Sequence, residues 1–125
     1  MLTPDELRGR VEAYVEAVNS RDPAAIAARF TEDAVHADPA SSPPNLGRTA
    51  ITTFFENGVA ASEAWTFTAR AVHTCADHVA VDFAIAVEAG GTTMTIEGIE
   101  VFCADDDGLF RSVHAYWDDA DLSFG

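Results

Sequence analysis

Three polar residues stand where the surrounding pattern calls for apolar ones: Tyr14, Asp38 and Glu100. Tyr14 falls on the apolar face of a helical stretch, and a buried phenol needs a polar partner for its hydroxyl. Asp38 ends a short apolar strand immediately before Pro39. Glu100 is the most informative. Met94, Ile96, Gly98, Glu100 and Phe102 share one strand parity, and Ile99, Val101 and Cys103 share the other. With both faces apolar, the carboxyl has no easy route to water. A lone buried carboxylate is very costly, so its pKa should rise until the group stays protonated and becomes a hydrogen-bond donor. Two donors, Tyr14 and neutral Glu100, inside an apolar cavity can stabilise a developing negative oxygen. An ionised Asp38 at the rim can remove a proton α to a carbonyl. Each residue also has a plainer reading. Tyr14 can be a core tyrosine, Asp38 a turn-starting residue before proline, and Glu100 can face outward if the register shifts at Gly98.

The elements that must position these groups follow from periodicity. Thr3, Pro4 and Glu6 form a capping box and first helical turn, and Leu7, Val11, Tyr14, Val15 and Val18 recur at helical spacing. Asp22-Pro23 starts a second helix with Ile26 and Phe30 on its buried side, ending at Thr31 to Asp33. Ala34 to Asp38 reads as a short strand, PASSPPNLG as a loop, and a third helix from about Thr49 buries Ile51, Phe54, Phe55 and Val59. From Glu63 the period falls to two. Strands are expected at Trp65 to Ala69, at Val79 to Glu88, at Thr92 to Ala104 with a bulge or bend at Gly98, and at Leu109 to Trp117. Turns at Ala89-Gly90-Gly91 and Asp105 to Gly108 join them. Helices and strands are segregated, so the expected class is α+β: a bent, mostly antiparallel sheet wrapped on three helices, a cone with an apolar interior.

Composition narrows the partners. The 125 residues fit one domain spanning 1–125, and 48% of them are apolar. Net charge is −14, and every basic residue is arginine. Such a field repels phosphate backbones and anionic headgroups, which argues against nucleic acid and membrane and for a small, uncharged, apolar ligand. No apolar run approaches a membrane span, and MLTPDELRGR lacks the basic start and apolar stretch of a signal peptide. The expectation is a cytoplasmic protein whose Cys75 and Cys103 are buried free thiols. His36 is expected to be partly exposed. His73, His78 and His114 show no metal-ligand spacing. The smooth alanine face of the strand around Ala80, Ala84 and Ala86 could meet a second copy.

Over nearly its whole length the chain resembles the ketosteroid isomerases (steroid Δ-isomerases) of the NTF2-like, SnoaL-like superfamily. The segments that carry the resemblance are YVEAVNSRDPAAIAARFTEDAVHADP, GRTAITTFFENG, GIEVF and HAYWDDADLS. It implies a cone-shaped NTF2-like fold, a homodimer, and a reaction without cofactor or metal. The family's catalytic tyrosine falls on Tyr14, its general base on Asp38, its oxyanion-hole acid on Glu100 and an active-site tryptophan on Trp117. Phe54, Phe55, Phe83, Phe102 and Trp117 become candidate walls for a flat 3-oxo-steroid. Two departures stand out. The family's acid is usually Asp, one methylene shorter than Glu100. Some members carry a tyrosine where this chain has Phe55, which can donate nothing. A polyketide cyclase-type acid/base enzyme on another carbonyl substrate, and a non-catalytic ligand-binding module, are the competing readings, because one fold hosts many functions.

Overall fold

The computed structural model describes residues 1–125. Helix α1 (Pro4–Ser20) begins with the expected capping box. The Thr3 N–H donates to the Glu6 carboxylate at 2.9 Å, and the Glu6 N–H donates to the Thr3 hydroxyl at 3.1 Å. Leu7, Val11, Tyr14 and Val18 are its buried stripe. Then follow α2 (Pro23–Ala27), β1 (Phe30–Ala37), β2 (Asn45–Leu46), α3 (Gly47–Ala60), β3 (Ala64–Cys75), β4 (His78–Ala89), β5 (Thr92–Ala104), β6 (Phe110–Tyr116), a 3-10 turn at Asp119–Asp121, and β7 (Leu122–Phe124). No helix is long and apolar enough to cross a membrane.

The strands form one mixed sheet in the order β2-β1-β6-β5-β4-β3, with β7 also pairing β5. All neighbours are antiparallel except β1 and β6. The sheet does not close, and the three helices pack on it in the cone-like α+β arrangement expected. Asn19 fastens α1 to β3 by a two-way bond with the Phe67 backbone, at 2.9 and 2.7 Å. The tight turn at Gly90 and Gly91 uses positive φ at both residues, which glycine adopts without penalty.

β6 and β7 occupy one row along β5. β6 pairs Ile99 to Ala104 and β7 pairs Met94 to Ile96. Between them the chain leaves the sheet, and that interruption lets Trp117 turn toward Asp38. It also explains Gly98. The register with β4 runs straight through this residue, so there is no bulge on that side. A Cβ here would instead overlap the Tyr116 carbonyl oxygen and crowd Trp117 and Phe83. Close approach, not a register shift, requires the glycine.

Four further expectations are corrected. Phe30 is not the last turn of α2 but the first residue of β1, held by its pairing with Phe110. The last long strand stops at Tyr116, one residue before the expected Trp117, and the short strands β2 and β7 are too brief to carry a period of their own. Cys75 is exposed and Cys103 half-buried, because both lie at strand ends on the outer parity. His36 is 1% exposed, not partly solvated, because Phe30, Phe54 and Phe55 enclose its ring.

Candidate active site

Tyr14 is presented by the buried stripe of α1 and is 1% exposed. Phe30, Phe67, Phe102 and Phe110 stand edge-on to its ring at 5.2–6.2 Å. Four edge-on rings thus pack around the phenol. Glu100 comes from the centre of β5, opposite Val81 on one side and Ala115 on the other. It is 3% exposed, and its Oε1 is buried with no hydrogen-bond partner. Buried polar atoms are rarely left unpaired, so this one invites a functional explanation. Asp38 follows the last residue of β1 and is half-buried. The indole Nε1 of Trp117 donates to its Oδ1 at 2.7 Å.

These groups meet in one place. An inner chamber of about 50 Å³ is lined by Tyr14, Asp38, Glu100, Trp117 and six apolar residues, among them Phe55, Phe67 and Phe83. A wider cleft of about 670 Å³ shares Val18, Asp38, Phe55, Ile85, Ile96 and Trp117 with it and adds Phe54, Trp65, Val87, Met94 and Phe124. Its size and apolar lining suit a drug-sized hydrophobic ligand.

Burial governs the electrostatics. Desolvation, reinforced by the Asp38 charge, pushes the Glu100 carboxyl well above the usual carboxylate range. Tyr14 is pushed well above the usual phenol value by burial first, then by Glu100 and Asp38. Asp38 is also raised by burial, but the Trp117 hydrogen bond stabilises its charged form and opposes the shift. Of the two carboxyls, Asp38 is therefore the one equipped to ionise, and Glu100 the one held neutral. Two groups with such divided protonation can serve as base and donor.

The eight residues singled out in the sequence are distributed as follows. Tyr14, Asp38, Glu100, Phe55, Phe83 and Trp117 line the inner chamber, and Phe54 lines the outer cleft alone. Phe102 lines neither. It is fully buried, 5.2 Å edge-on to Tyr14 and 4.8 Å from Phe110, so it braces the phenol from behind. Sequence reasoning missed Trp65, Met94 and Phe124 as cleft residues. The parity of β4 and β5 carried part of the signal: Phe83, Ile85 and Val87 face the same way as Met94 and Ile96, their cross-strand partners or neighbours. His36 lines neither cavity. Its Nδ1 accepts from the Asn45 side-chain amide at 3.1 Å, so its ring ties β1 to β2 and backs Phe54 and Phe55. Burial lowers its pKa to about 4.

Known proteins with this architecture define the class. The SnoaL-like domain family matches residues 11–113, and the chain belongs to that family. Among curated proteins it is 34% identical over 117 residues to the steroid Delta-isomerase of Nocardioides simplex, an alignment covering 94% of each chain. Among solved structures it superimposes with a TM-score of 0.90 on SalBIII, an epoxide hydrolase/cyclase-like enzyme of pyran ring formation in polyether salinomycin, at 26% identity over 98% of both chains. A protein of Mycobacterium tuberculosis shares the fold at TM-score 0.89 and 22% identity, over 100% of both chains.

Proposed function

We propose that the protein is a cofactor-free isomerase that moves the double bond of 3-oxo-Δ5-steroids to the conjugated Δ4 position. The observation that carries the reading is the unpaired, buried Glu100 carboxyl in one chamber with Tyr14 and Asp38. The likeness to a steroid Delta-isomerase supports the substrate class. Asp38 takes a proton from C4, and the electron pair shifts onto the C3 oxygen to form a dienolate. The Tyr14 hydroxyl and the neutral Glu100 carboxyl donate to that oxygen. Protonated Asp38 then returns the proton to C6, so no atom is lost and no redox partner is needed. Oxyanion holes containing a neutral carboxylic acid are an established feature of the ketosteroid isomerases. Here the acid is Glu100, one methylene longer, and Phe55 supplies no second phenol to Tyr14.

The apolar cleft favours an uncharged ring system, and the surplus of acidic residues disfavours anionic ligands. The same reading keeps a homodimer, for which Ile99 and Tyr116, 41% and 54% exposed, offer apolar surface on the outer sheet. The test is optical. Incubation with a 3-oxo-Δ5-steroid should generate the ultraviolet absorption of the conjugated enone, and Asp38→Asn should lower kcat by about a thousandfold. A wild-type protein that binds the steroid without converting it would sink the isomerase reading in favour of a binding module. Turnover of an epoxide or polyketide-type carbonyl instead would favour the cyclase-like alternative that the likeness to SalBIII supports.

A further inference from the structure

The outer cleft contains a braced aromatic wall that the proton transfer does not use. Trp65 lines the cleft but not the inner chamber. It stands opposite Val87, six residues along β4 from Val81, the partner of Glu100. At the usual strand rise those positions lie about 20 Å apart. A ketone anchored at Glu100 therefore meets Trp65 only if the molecule continues well past its first two rings.

The indole is held on two sides. Its Nε1 donates to the Val18 carbonyl at 2.6 Å, fixing it to α1. The Arg21 guanidinium lies over its ring, 4.4 Å from the centroid. Arg21 is half-buried and leaves α1 in the left-handed region, at φ 57°. Its guanidinium also donates to the Ser62 hydroxyl at 3.1 Å, the Ser62 carbonyl at 3.0 Å and the Val59 carbonyl at 3.3 Å. One side chain thus joins the end of α1, the end of α3 and the start of β3, three segments that frame the cleft. No carboxylate pairs with it, so its charge is spent on the carbonyls and the indole face, where a partly desolvated cation–π contact is strongest. Gly58 of α3 flanks the indole edge, where a Cβ would rest in ordinary van der Waals contact at 3.4 Å.

We infer that Trp65 is the specificity-determining wall for the end of the steroid remote from its ketone, and that Arg21 is the positioning residue that holds it there. The inference rests on the isomerase reading and adds the recognition of the distal, C17 end. Its experiment compares two substrates: a 3-oxo-Δ5-steroid with a neutral alkyl chain at C17, and a bicyclic β,γ-unsaturated ketone that has only the A and B rings. Arg21→Ala should raise KM for the steroid about fivefold while leaving kcat within about twofold. It should leave both constants for the bicyclic ketone unchanged. Arg21→Lys, which keeps the charge but loses the planar fork, should fall between, and Trp65→Leu should reproduce the steroid defect if Arg21→Ala fails to fold. Equal losses on both substrates would mean that Arg21 only stabilises the fold. An unchanged KM for the steroid in all three variants would remove Trp65 from recognition, and either result overturns the inference while wild-type turnover still stands. Wild-type protein that converts neither ketone overturns the isomerase reading, and this inference with it.

Discussion

The two faces of β5 treat polar groups in opposite ways. On the inner face Glu100 is 3% exposed and its Oε1 has no partner. Three residues on, the outer face places Cys103 beside a group in which every polar side chain is engaged. Asp77 accepts from His78 at 2.8 Å and from Arg111 at 2.6 Å, and Arg111 also reaches the Cys103 sulfur at 3.0 Å. The pKa directions follow. Asp77 is lowered, first by the His78 hydrogen bond and then by Arg111, whereas Glu100 is raised by burial. Solvated, paired charges are ordinary surface chemistry of little energetic weight. A desolvated, unpaired acid is costly to keep, and its cost is the reason to assign it a task.

Substitutions sharpen that contrast, the inner face carrying the large effects. Glu100→Ala removes one of the two proposed oxyanion donors and should lower kcat by about a hundredfold with little change in KM. Glu100→Gln keeps a donor and should lose less. If Glu100→Ala kept full turnover, the inner face would be mere packing. Gly98→Ala attacks the geometry instead of the chemistry. The added methyl meets the Tyr116 carbonyl and the base of Trp117, and chemical denaturation should show a loss of about 2 kcal/mol.

Stability against pH separates two buried groups of opposite sign. Glu100 has its folded pKa raised above 4.5, so the folded state binds the extra proton. Its contribution is complete below 4.5 and declines as pH rises through the folded value. His36 has its folded pKa lowered from 6.5 to about 4, so the unfolded chain binds the extra proton. Its contribution is complete above 6.5 and is lost as pH falls toward 4, about 3 kcal/mol in all. His36→Phe should flatten the acid limb of a Tm-against-pH curve, and Glu100→Gln should flatten the limb above 4.5. An acid limb unchanged by His36→Phe would place the loss of stability elsewhere. The smallest effect belongs to the outer face: Arg111→Ala should leave turnover unchanged and shift Tm only slightly.

Those same contrasts show where the sequence was legible. The α1 stripe and its capping box are local, so Tyr14 could be placed from spacing alone. The parity of β5 showed Glu100 facing an apolar side, and the structure agrees that it is buried. The four-residue spacing of Phe30 from Ile26 fits a helix, and pairing with Phe110, eighty positions away, decides for strand. β2 and β7, of two and three residues, have no periodicity of their own and are defined by their neighbours. His36 is buried by Phe30, by the α3 rings of Phe54 and Phe55 and by the Asn45 amide of β2, and only the folded β1–β2–α3 arrangement brings these together. The apolar context of Cys75 and Cys103 does not reveal which face a strand end presents, and both lie on the outer one. Alternation places Trp65 in a strand, as the structure has it, and its place in the cleft depends on Arg21 and Val18 reaching it across the fold.

The protonation of Glu100 is the claim on which the division between base and donor rests. Infrared difference spectroscopy of wild type against Glu100→Gln at neutral pH reads it directly. The account predicts a protonated-carboxyl carbonyl stretch that belongs to Glu100 and disappears in the variant. A difference spectrum showing only the paired stretches of an ionised carboxylate at this position would contradict it.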